Sequence, residues 1–252
     1  MDENQRALVR QAAVDGLDDA VRTWRKVGIV MDSINASFEA RAGTESNIPG
    51  HPFVQTGEPE ATEFVALVVD MRNSTDRLQN LQKFPPIQSG FQRVFYETSA
   101  LLPALATTVL FKDGHVTEYL GDGALILFKV DTNDRGKTVR DAYLAANDCV
   151  TETREIVNDL LAERFDLPSL SIGAGLSVSH AIVTLVGTSD FRQPKAIGQC
   201  VWEASKLSSG VNTVRVSENL REAWPSSPGG TLRFDRLKDL PRSLVGFEVR
   251  KG

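Results

Sequence analysis

The sequence predicts an α+β fold, in which helices pack largely on one face of a β-sheet, preceded by a helical extension. Two observations predict it. Segments of β-rich composition alternate with segments of helical periodicity along most of the chain. Residues 64–69 form an unbroken apolar run rich in Val, which suits a strand buried on both faces. With 252 residues, 41% of them hydrophobic, the chain is long enough for one main domain with an extension.

The N-terminal part is predicted to be helical. Residues 4–24 carry apolar side chains at three- and four-residue spacing, which is typical of an amphipathic helix, and a second helix is predicted over 26–42. The following segment, TESNIPGHPFVQTGEPE, is rich in Pro and Gly and is typical of a connector. We therefore predict a helical extension over residues 1–45, a connector over 46–60 and the main domain over 61–252. The apolar stripe of the first helix consists of Leu8, Ala12, Ala13, Leu17, Ala20, Val21 and Trp24.

The main domain is predicted to alternate between strands and helices. Pro103 lies inside one predicted helix and is expected to kink it. Gly173 and Gly175 lie in a predicted strand, where glycine indicates a bulge or a close backbone approach. After the strand that ends near residue 70, the predicted order is helix 88–108, hairpin 116–128, helix 138–165, β-rich runs 170–177 and 181–186, helix 198–209, strand 211–216, helix 218–224 and two terminal strands.

The first motif of the main domain is the end of its apolar strand. The strand ends abruptly at Asp70, so this carboxylate is expected where the core meets solvent. Asn73, Ser74 and Thr75 follow, and all three are residue types that cap helix N-termini. A strand, a sharp turn and a helix start would place backbone N–H groups beside Asp70, an arrangement that commonly holds phosphate.

The second motif is a predicted hairpin whose turn is Gly121-Asp122-Gly123. It gives a second carboxylate at a strand end. Hard divalent cations such as Mg²⁺ take oxygen ligands, often one or two carboxylates completed by water and substrate phosphates. The two aspartates therefore indicate a shared metal site. The alternative is that Asp70 only caps a helix and Asp122 only favours a turn.

Composition argues against several classes of function. The net charge is −5 with no Lys/Arg block, which disfavours a nucleic-acid surface. No apolar run reaches the roughly 20 residues of a membrane span, and the N-terminus lacks a signal-peptide pattern. Cys149 and Cys200 lie in predicted helices without metal-ligand spacing, which indicates buried thiols in a reducing compartment. We expect a cytoplasmic protein.

The two motifs resemble the paired metal-binding motifs of class III nucleotidyl cyclases, the family of adenylate and guanylate cyclases. The similarity covers about residues 60–250, and within the family it is greatest to the pyrimidine cyclases of the bacterial Pycsar antiphage system. The resemblance implies a palm-like (ferredoxin-like) sheet and makes residues 61–252 the catalytic domain. It also implies attack of a ribose 3′-hydroxyl on the α-phosphate with release of pyrophosphate.

The resemblance assigns roles to the motif residues. Asp70 and Asp122 would bind two divalent ions, Mg²⁺ or Mn²⁺, with the Met71 carbonyl as a third oxygen donor. Arg72 and the backbone of Asn73, Ser74 and Thr75 would hold the triphosphate. The family also implies a homodimer with shared active sites, one protomer giving the aspartates and the other the helix that carries Lys206.

Other aligned positions depart from the purine cyclases. Glu118 and Lys195 stand where those enzymes carry their base-reading pair, and Trp202 and Lys206 stand where they carry Asn and Arg. Lys206 retains a cation for phosphate, whereas Trp202 can stack on a base or ribose but cannot replace an amide. Lys238 lies near the place of a triphosphate-binding lysine. The alternatives stay open. Trp202 can belong to the core, and the charged side chains can simply be solvated at Glu118, Lys195, Lys206 and Lys238.

Base choice is not decided by these residues, because Glu118 and Lys195 can match either uracil or cytosine. The preference for UTP, giving cyclic UMP as a second messenger in antiphage defence, comes from the resemblance, with CTP and cyclic CMP as the alternative. A separate effector protein would read the product. Two rival interpretations are a diguanylate cyclase, whose longer signature is interrupted here, and a degenerate cyclase-like module that binds a nucleotide without turnover.

Overall fold

The structure is a computed structural model, which describes residues 1–24, 43–55, 58–79, 84, 87–188, 191–225, 230–241 and 244–251. The predicted second helix over 26–42 lies outside the described residues. The helices are α1 (Glu3–Trp24), α2 (Ser74–Gln79), α3 (Gly90–Leu110), α4 (Arg135–Asp148), α5 (Arg154–Phe165), α6 (Gln199–Leu207) and α7 (Glu218–Glu222), with a π-helical turn at Cys149–Thr153 between α4 and α5.

One large sheet organises the main domain. Its strand order is β4-β5-β3-β6-β8-β10-β9, and β7 pairs with the outer part of β6. The pairings are antiparallel except that of β6 with β8. The strands are β1 (Gly43–Ile48), β2 (His51–Gln55), β3 (Glu60–Met71), β4 (His115–Tyr119), β5 (Gly123–Lys129), β6 (Ile172–Thr188), β7 (Phe191–Gly198), β8 (Val214–Ser217), β9 (Leu232–Arg236) and β10 (Gly246–Lys251).

The two faces of this sheet bury different partners. Because side chains alternate along a strand, β3 sends Val65, Leu67 and Val69 to one face, where α1, α3, α4 and α5 form the larger core. Phe64, Ala66 and Val68 face the other way. They pack with α6 and with the hairpin formed by β1 and β2. Of the helices described, most thus cover one face, as predicted, while α6 and a smaller core lie on the other.

Helix α1 begins and ends close to the predicted bounds but presents a different stripe. Val9, Ala13 and Leu17 are fully buried, whereas Leu8 is 56% exposed. Gly16 allows α1 to lie close to α3, because a Cβ at this position would be 2.1 Å from the carbonyl oxygen of Ser99 in α3. The apolar spacing therefore identified the helix correctly, and close packing against α3 decided which side faces inward.

Several predicted elements need correction. The connector predicted over 46–60 contains much of the β1–β2 hairpin, since Pro and Gly occur at its turn and edge without ending the strands. The runs 170–177 and 181–186 belong to one continuous strand, β6. Strand β7 was not predicted. The helix predicted over 138–165 contains a π turn. Helix α2 is described from Ser74 to Gln79, and its Leu78 is 46% exposed.

Among the described residues, no helix combines the length and the low polarity that crossing a lipid bilayer requires. Cys149 and Cys200 are buried free thiols, as predicted, and burial raises the pKa of both.

Candidate active site

Asp70 lies on the sheet face that carries α6. It continues the alternation of Phe64, Ala66 and Val68 on β3, and its backbone pairs with Gly123 on one side and Gly173 on the other. Neither neighbour has a side chain, although the carbonyls of Ser208 and Gly210 occupy the place that a Gly173 Cβ would take. The Asp70 side chain is 34% exposed. The end of a buried strand thus places a charged group at an open edge, as the sequence predicts.

Asp122 is held beside Asp70 by the turn between β4 and β5. Its carbonyl oxygen accepts a hydrogen bond of 3.3 Å from the N–H of Met71. Gly121 has φ +81°, which favours glycine. Gly123 is required by a close approach, because a Cβ there would lie 2.4 Å from the Val69 carbonyl oxygen and 3.1 Å from Asp70 Oδ1. The two glycines allow the turn to approach the end of β3.

The two aspartates line one cleft of about 400 Å³. In α2, Ser74 and Thr75 are the first helical residues, so their backbone N–H groups have no partner within the helix. Asn73 precedes them with φ +59°, and its carbonyl accepts from the N–H of Arg77 at 3.0 Å. The cleft therefore combines carboxylate oxygens with backbone donors. Its lining residues are Asp70, Met71, Arg72, Asn73, Ser74, Thr75, Asp76 and Asp122.

Arg72 is the cation of this cleft. Its guanidinium pairs with Asp70 Oδ2, while its backbone N–H donates to the Ser171 carbonyl at 2.7 Å. Burial lowers the pKa of Arg72; the charge of Asp122 acts to raise it and the charge of Arg215 to lower it further. Its Nε is buried without a hydrogen-bond partner. Arg72, expected to face a triphosphate, is thus paired with one of the carboxylates in this structure.

The residues present fit a divalent cation. Within the described part of the chain, the Asp122 carboxylate has no hydrogen-bond or ion-pair partner, although it lines the same polar cleft as Asp70. A carboxylate in this setting is stabilised by a cation, and the guanidinium beside Asp70 shows that the position accepts positive charge. No cluster of three or more His, Cys, Asp or Glu side chains exists among the described residues. Carbonyl, water and substrate oxygens are the ligands that commonly complete a site with one or two carboxylates.

Glu118 and Lys195 come together although they are 77 positions apart. Lys195 Nζ lies 2.5 Å from Glu118 Oε2, and the two side chains are 29% and 25% exposed. Glu118 pairs in β4 with Leu125, whose side chain belongs to the smaller core, so the ion pair lies on the same sheet face as Asp70. It lines a second cleft, of about 340 Å³.

Trp202 and Lys206 lie on α6 away from the aspartate cleft. Helix α6 packs on β6, where a Cβ at Gly175 would lie 2.2 Å from the Ala204 carbonyl oxygen, which confirms the close approach predicted there. Trp202 is 43% exposed and not in the core, and Lys206 is also exposed. Neither lines the cleft that contains Asp70 and Asp122. Lys238 is exposed just after β9.

Sequence reasoning missed one contributor to these clefts. The β1–β2 hairpin lines the cleft of Glu118 and Lys195 with Glu45, Ser46, Asn47 and Ile48. No alternating pattern marked this hairpin, because in its second strand only His51 and Val54 are buried, and the prolines favoured a connector.

Comparison with solved structures identifies the fold. The guanylyl cyclase Cya2 is 20% identical, with 75% of this chain and 92% of that chain covered and a TM-score of 0.59. The adenylyl cyclase CyaB from P. aeruginosa is 16% identical, with 77% and 97% covered and a TM-score of 0.61. The guanylate cyclase domain of RhGC from Catenaria anguillulae, in complex with GTP, is 14% identical, with 76% and 98% covered and a TM-score of 0.51.

No protein-family model and no curated protein matches the chain. At these identities the solved structures establish the fold alone. The chain therefore has the fold of class III nucleotidyl cyclase catalytic domains, as the two motifs predict.

Proposed function

We propose that this protein is a nucleotidyl cyclase that converts UTP to 3′,5′-cyclic UMP and pyrophosphate. In this reaction the ribose 3′-oxygen bonds to the α-phosphorus, the bond from that phosphorus to the bridging oxygen of the β-phosphate breaks, and the hydroxyl proton passes to water. The observation that carries the proposal is that Asp70 and Asp122 line one cleft in a fold shared with solved adenylyl and guanylyl cyclases.

The chain's own residues would position the triphosphate. Asp70, Asp122 and the Met71 carbonyl would hold two Mg²⁺ or Mn²⁺ ions, and such ions stabilise the attacking and leaving oxygens of an in-line displacement. The N–H groups of Ser74 and Thr75 line the cleft and would donate to phosphate oxygens. Arg72, released from Asp70 when a stronger cation arrives, would pair with phosphate. Lys238 is a further candidate for a phosphate contact.

The base would be held by Glu118 and Lys195. Their ion pair presents a carboxylate acceptor and an ammonium donor at one edge of a cleft. Uracil offers an N–H donor and two carbonyl acceptors, which match this pair, and cytosine can also be matched. CTP is therefore the second candidate substrate. The UTP preference and a role in antiphage defence, with a separate effector for the product, rest on the Pycsar resemblance.

A homodimer with shared sites is part of the proposal. The aspartate cleft does not contain Trp202 or Lys206, and both of these α6 side chains are exposed, so they are available to a neighbouring protomer. Lys206 would supply the phosphate cation to the partner's aspartates. Trp202 would stack on the ribose or base, or narrow the pocket to a one-ring base.

Product identification tests the proposal. Purified protein is incubated with Mn²⁺ and, separately, with ATP, GTP, CTP or UTP, and products are identified by mass. We expect cyclic UMP with pyrophosphate as the main product. Asp70→Asn and Asp122→Asn should each lower kcat at least about 100-fold, because each removes charge from the metal site while conserving side-chain shape.

Asp76→Asn is the matched control, because Asp76 lines the same cleft but is not assigned to the metal. It should retain activity within about threefold, as expected where no transition-state contact is lost. A cyclic purine product would overturn the base assignment. Full activity of Asp70→Asn would overturn the metal assignment, and nucleotide binding without any product would favour the degenerate regulatory module.

A further inference from the structure

The β1–β2 hairpin is fixed over the face of the sheet that carries the proposed site. Ile48 and Val54 are each 4% exposed and belong to the smaller core with Phe64 of β3 and Leu127 of β5. On the second strand of the hairpin, His51 Nε2 lies 2.8 Å from Thr62 Oγ1. The hairpin is therefore anchored to the sheet itself and does not project freely from it.

A bulge in this hairpin occurs where it meets the cleft. Glu45 pairs with Phe53 and Ile48 with His51, so two residues of β1 oppose the single residue Pro52. Pro52 has no N–H to donate, and the Ser46 hydroxyl accepts from the N–H of Ile48 at 3.0 Å. Bulges redirect side chains and are frequent beside active sites. The residues of this bulge, Ser46 and Asn47, both line the cleft of Glu118 and Lys195.

The chemistry of that cleft fits an uncharged heterocycle better than a phosphate. Its charged lining consists of Glu45, Glu118 and Lys195, and the lysine is already neutralised by its ion pair with Glu118. An anion would find no unpaired cation among the lining residues. The amides of Asn47 and Gln193 instead offer both donors and acceptors, and within the described chain neither makes a side-chain hydrogen bond. The volume of about 340 Å³ is at the small end of ligand pockets.

We propose that the β1–β2 hairpin is a specificity element and that the Asn47 amide hydrogen-bonds to the edge of the base held by Glu118 and Lys195. This inference rests on the proposed function. The amide can donate to a carbonyl oxygen or accept from an N–H, so its orientation is set by the base. The hairpin thereby adds a third polar group to a site otherwise formed by β4 and β7.

Two substitutions at Asn47 test the inference through base preference. Asn47→Ala should lower kcat/KM for the preferred nucleotide and its preference over the other three by about three- to tenfold, the scale of one uncharged hydrogen bond. Asn47→Asp replaces the amide donor with an acceptor, so it should shift the UTP-to-CTP ratio towards CTP, whose base carries an amino group. Thr44→Ala, in the same hairpin but outside the cleft, is the control. It should leave the preference for the best nucleotide and the UTP-to-CTP ratio unchanged.

Equilibrium binding of the four 3′-deoxynucleoside triphosphates, which lack the attacking hydroxyl, is measured in parallel. If the wild-type protein makes a cyclic product and the Asn47 variants keep its base ratios within twofold, the inference is wrong and the proposed function stands. If the protein binds the analogues but makes no product, the proposed function fails. The inference is then tested by whether the Asn47 variants change the relative affinities for the four analogues. Absence of binding by the wild-type protein would overturn both.

Discussion

At the scale of single residues, the candidate site depends on glycines as much as on carboxylates. Asp70 is flanked by Gly123 and Gly173 on the two neighbouring strands. Side chains at either position would meet backbone atoms, at 2.4 Å from Gly123 and 2.1 Å from Gly173. The missing Cβ of Gly123 lets the Asp122 turn approach Asp70, whereas the missing Cβ of Gly173 makes room for the carbonyls of Ser208 and Gly210.

Gly123→Ala tests this dependence. The added Cβ must displace the Val69 carbonyl or the Asp70 side chain, since it would lie 2.4 Å and 3.1 Å from atoms of those residues. A displacement of about 1 Å in a catalytic group can reduce the rate by about 100-fold. We expect a loss of kcat of this order, measured as cyclic-nucleotide formation, with a folded protein by circular dichroism.

Gly121→Ala is the matched control two positions earlier. Its Cβ would meet no atom within 4 Å, and only its φ of +81° opposes the change. The left-handed conformation costs roughly 1–2 kcal/mol for a residue with a Cβ, so this variant should lose stability while keeping most of its kcat. Equal losses of kcat in the two variants would contradict this explanation. They would show that activity depends on the conformation of the whole turn and not on the close approach of Gly123 to Asp70.

At the scale of elements, a buried ionic network joins the short helix of the site to the core. Glu97 of α3 is fully buried, and its Oε1 accepts from Arg77 Nη1 at 2.7 Å and from Arg93 Nε at 2.9 Å. Arg77 lies in α2 and also donates to the Ser169 carbonyl at 2.8 Å. Since the described part of α2 has six residues and none of them is buried, this network is a main determinant of its position.

Glu97→Gln should therefore be strongly destabilising. The amide keeps the shape but removes the charge that compensates Arg77 and Arg93, and breaking a buried ion pair on one side costs about 3–5 kcal/mol. The free energy of unfolding, measured by urea denaturation, should fall by this amount. Glu155→Gln, whose carboxylate is 59% exposed and 3.6 Å from Arg154, should change it by less than about 0.5 kcal/mol. A similarly small effect at Glu97 would contradict the structural role of the network.

At the scale of the whole molecule, the larger core and the residues of the proposed site lie on opposite faces of the sheet. In the described part of the chain, α1, α3, α4, α5 and α7 contribute to the larger core on one face, while Asp70, the Glu118–Lys195 pair, α6 and the β1–β2 hairpin occupy the other. The aspartate cleft and the exposed α6 side chains remain apart within one chain. A complete site in the proposed mechanism therefore requires a second copy.

Mixing two inactive variants tests the shared site. Asp70→Asn damages the aspartate half and Lys206→Ala the α6 half, so a dimer of one variant with the other retains one intact site. After subunit exchange at equal amounts, about a quarter of wild-type activity should return, because half of the dimers carry one of two sites intact. If the mixture stays as inactive as its parts, each site belongs to a single chain. Analytical ultracentrifugation verifies that the dimers form.

The sequence by itself determined the elements that depend on local pattern. The apolar run before Asp70, the glycine-bounded turn at Asp122 and the helical periodicity of α1 and α3 gave the order of most strands and helices, and with the motif resemblance the fold class. Only the tertiary structure decided the pairing of Glu118 with Lys195, the pairing of Arg72 with Asp70 and the position of the β1–β2 hairpin. The physical reason is that these contacts join residues from different elements, or compete with solvent and metal for the same charge, so their outcome depends on distances that local sequence does not encode.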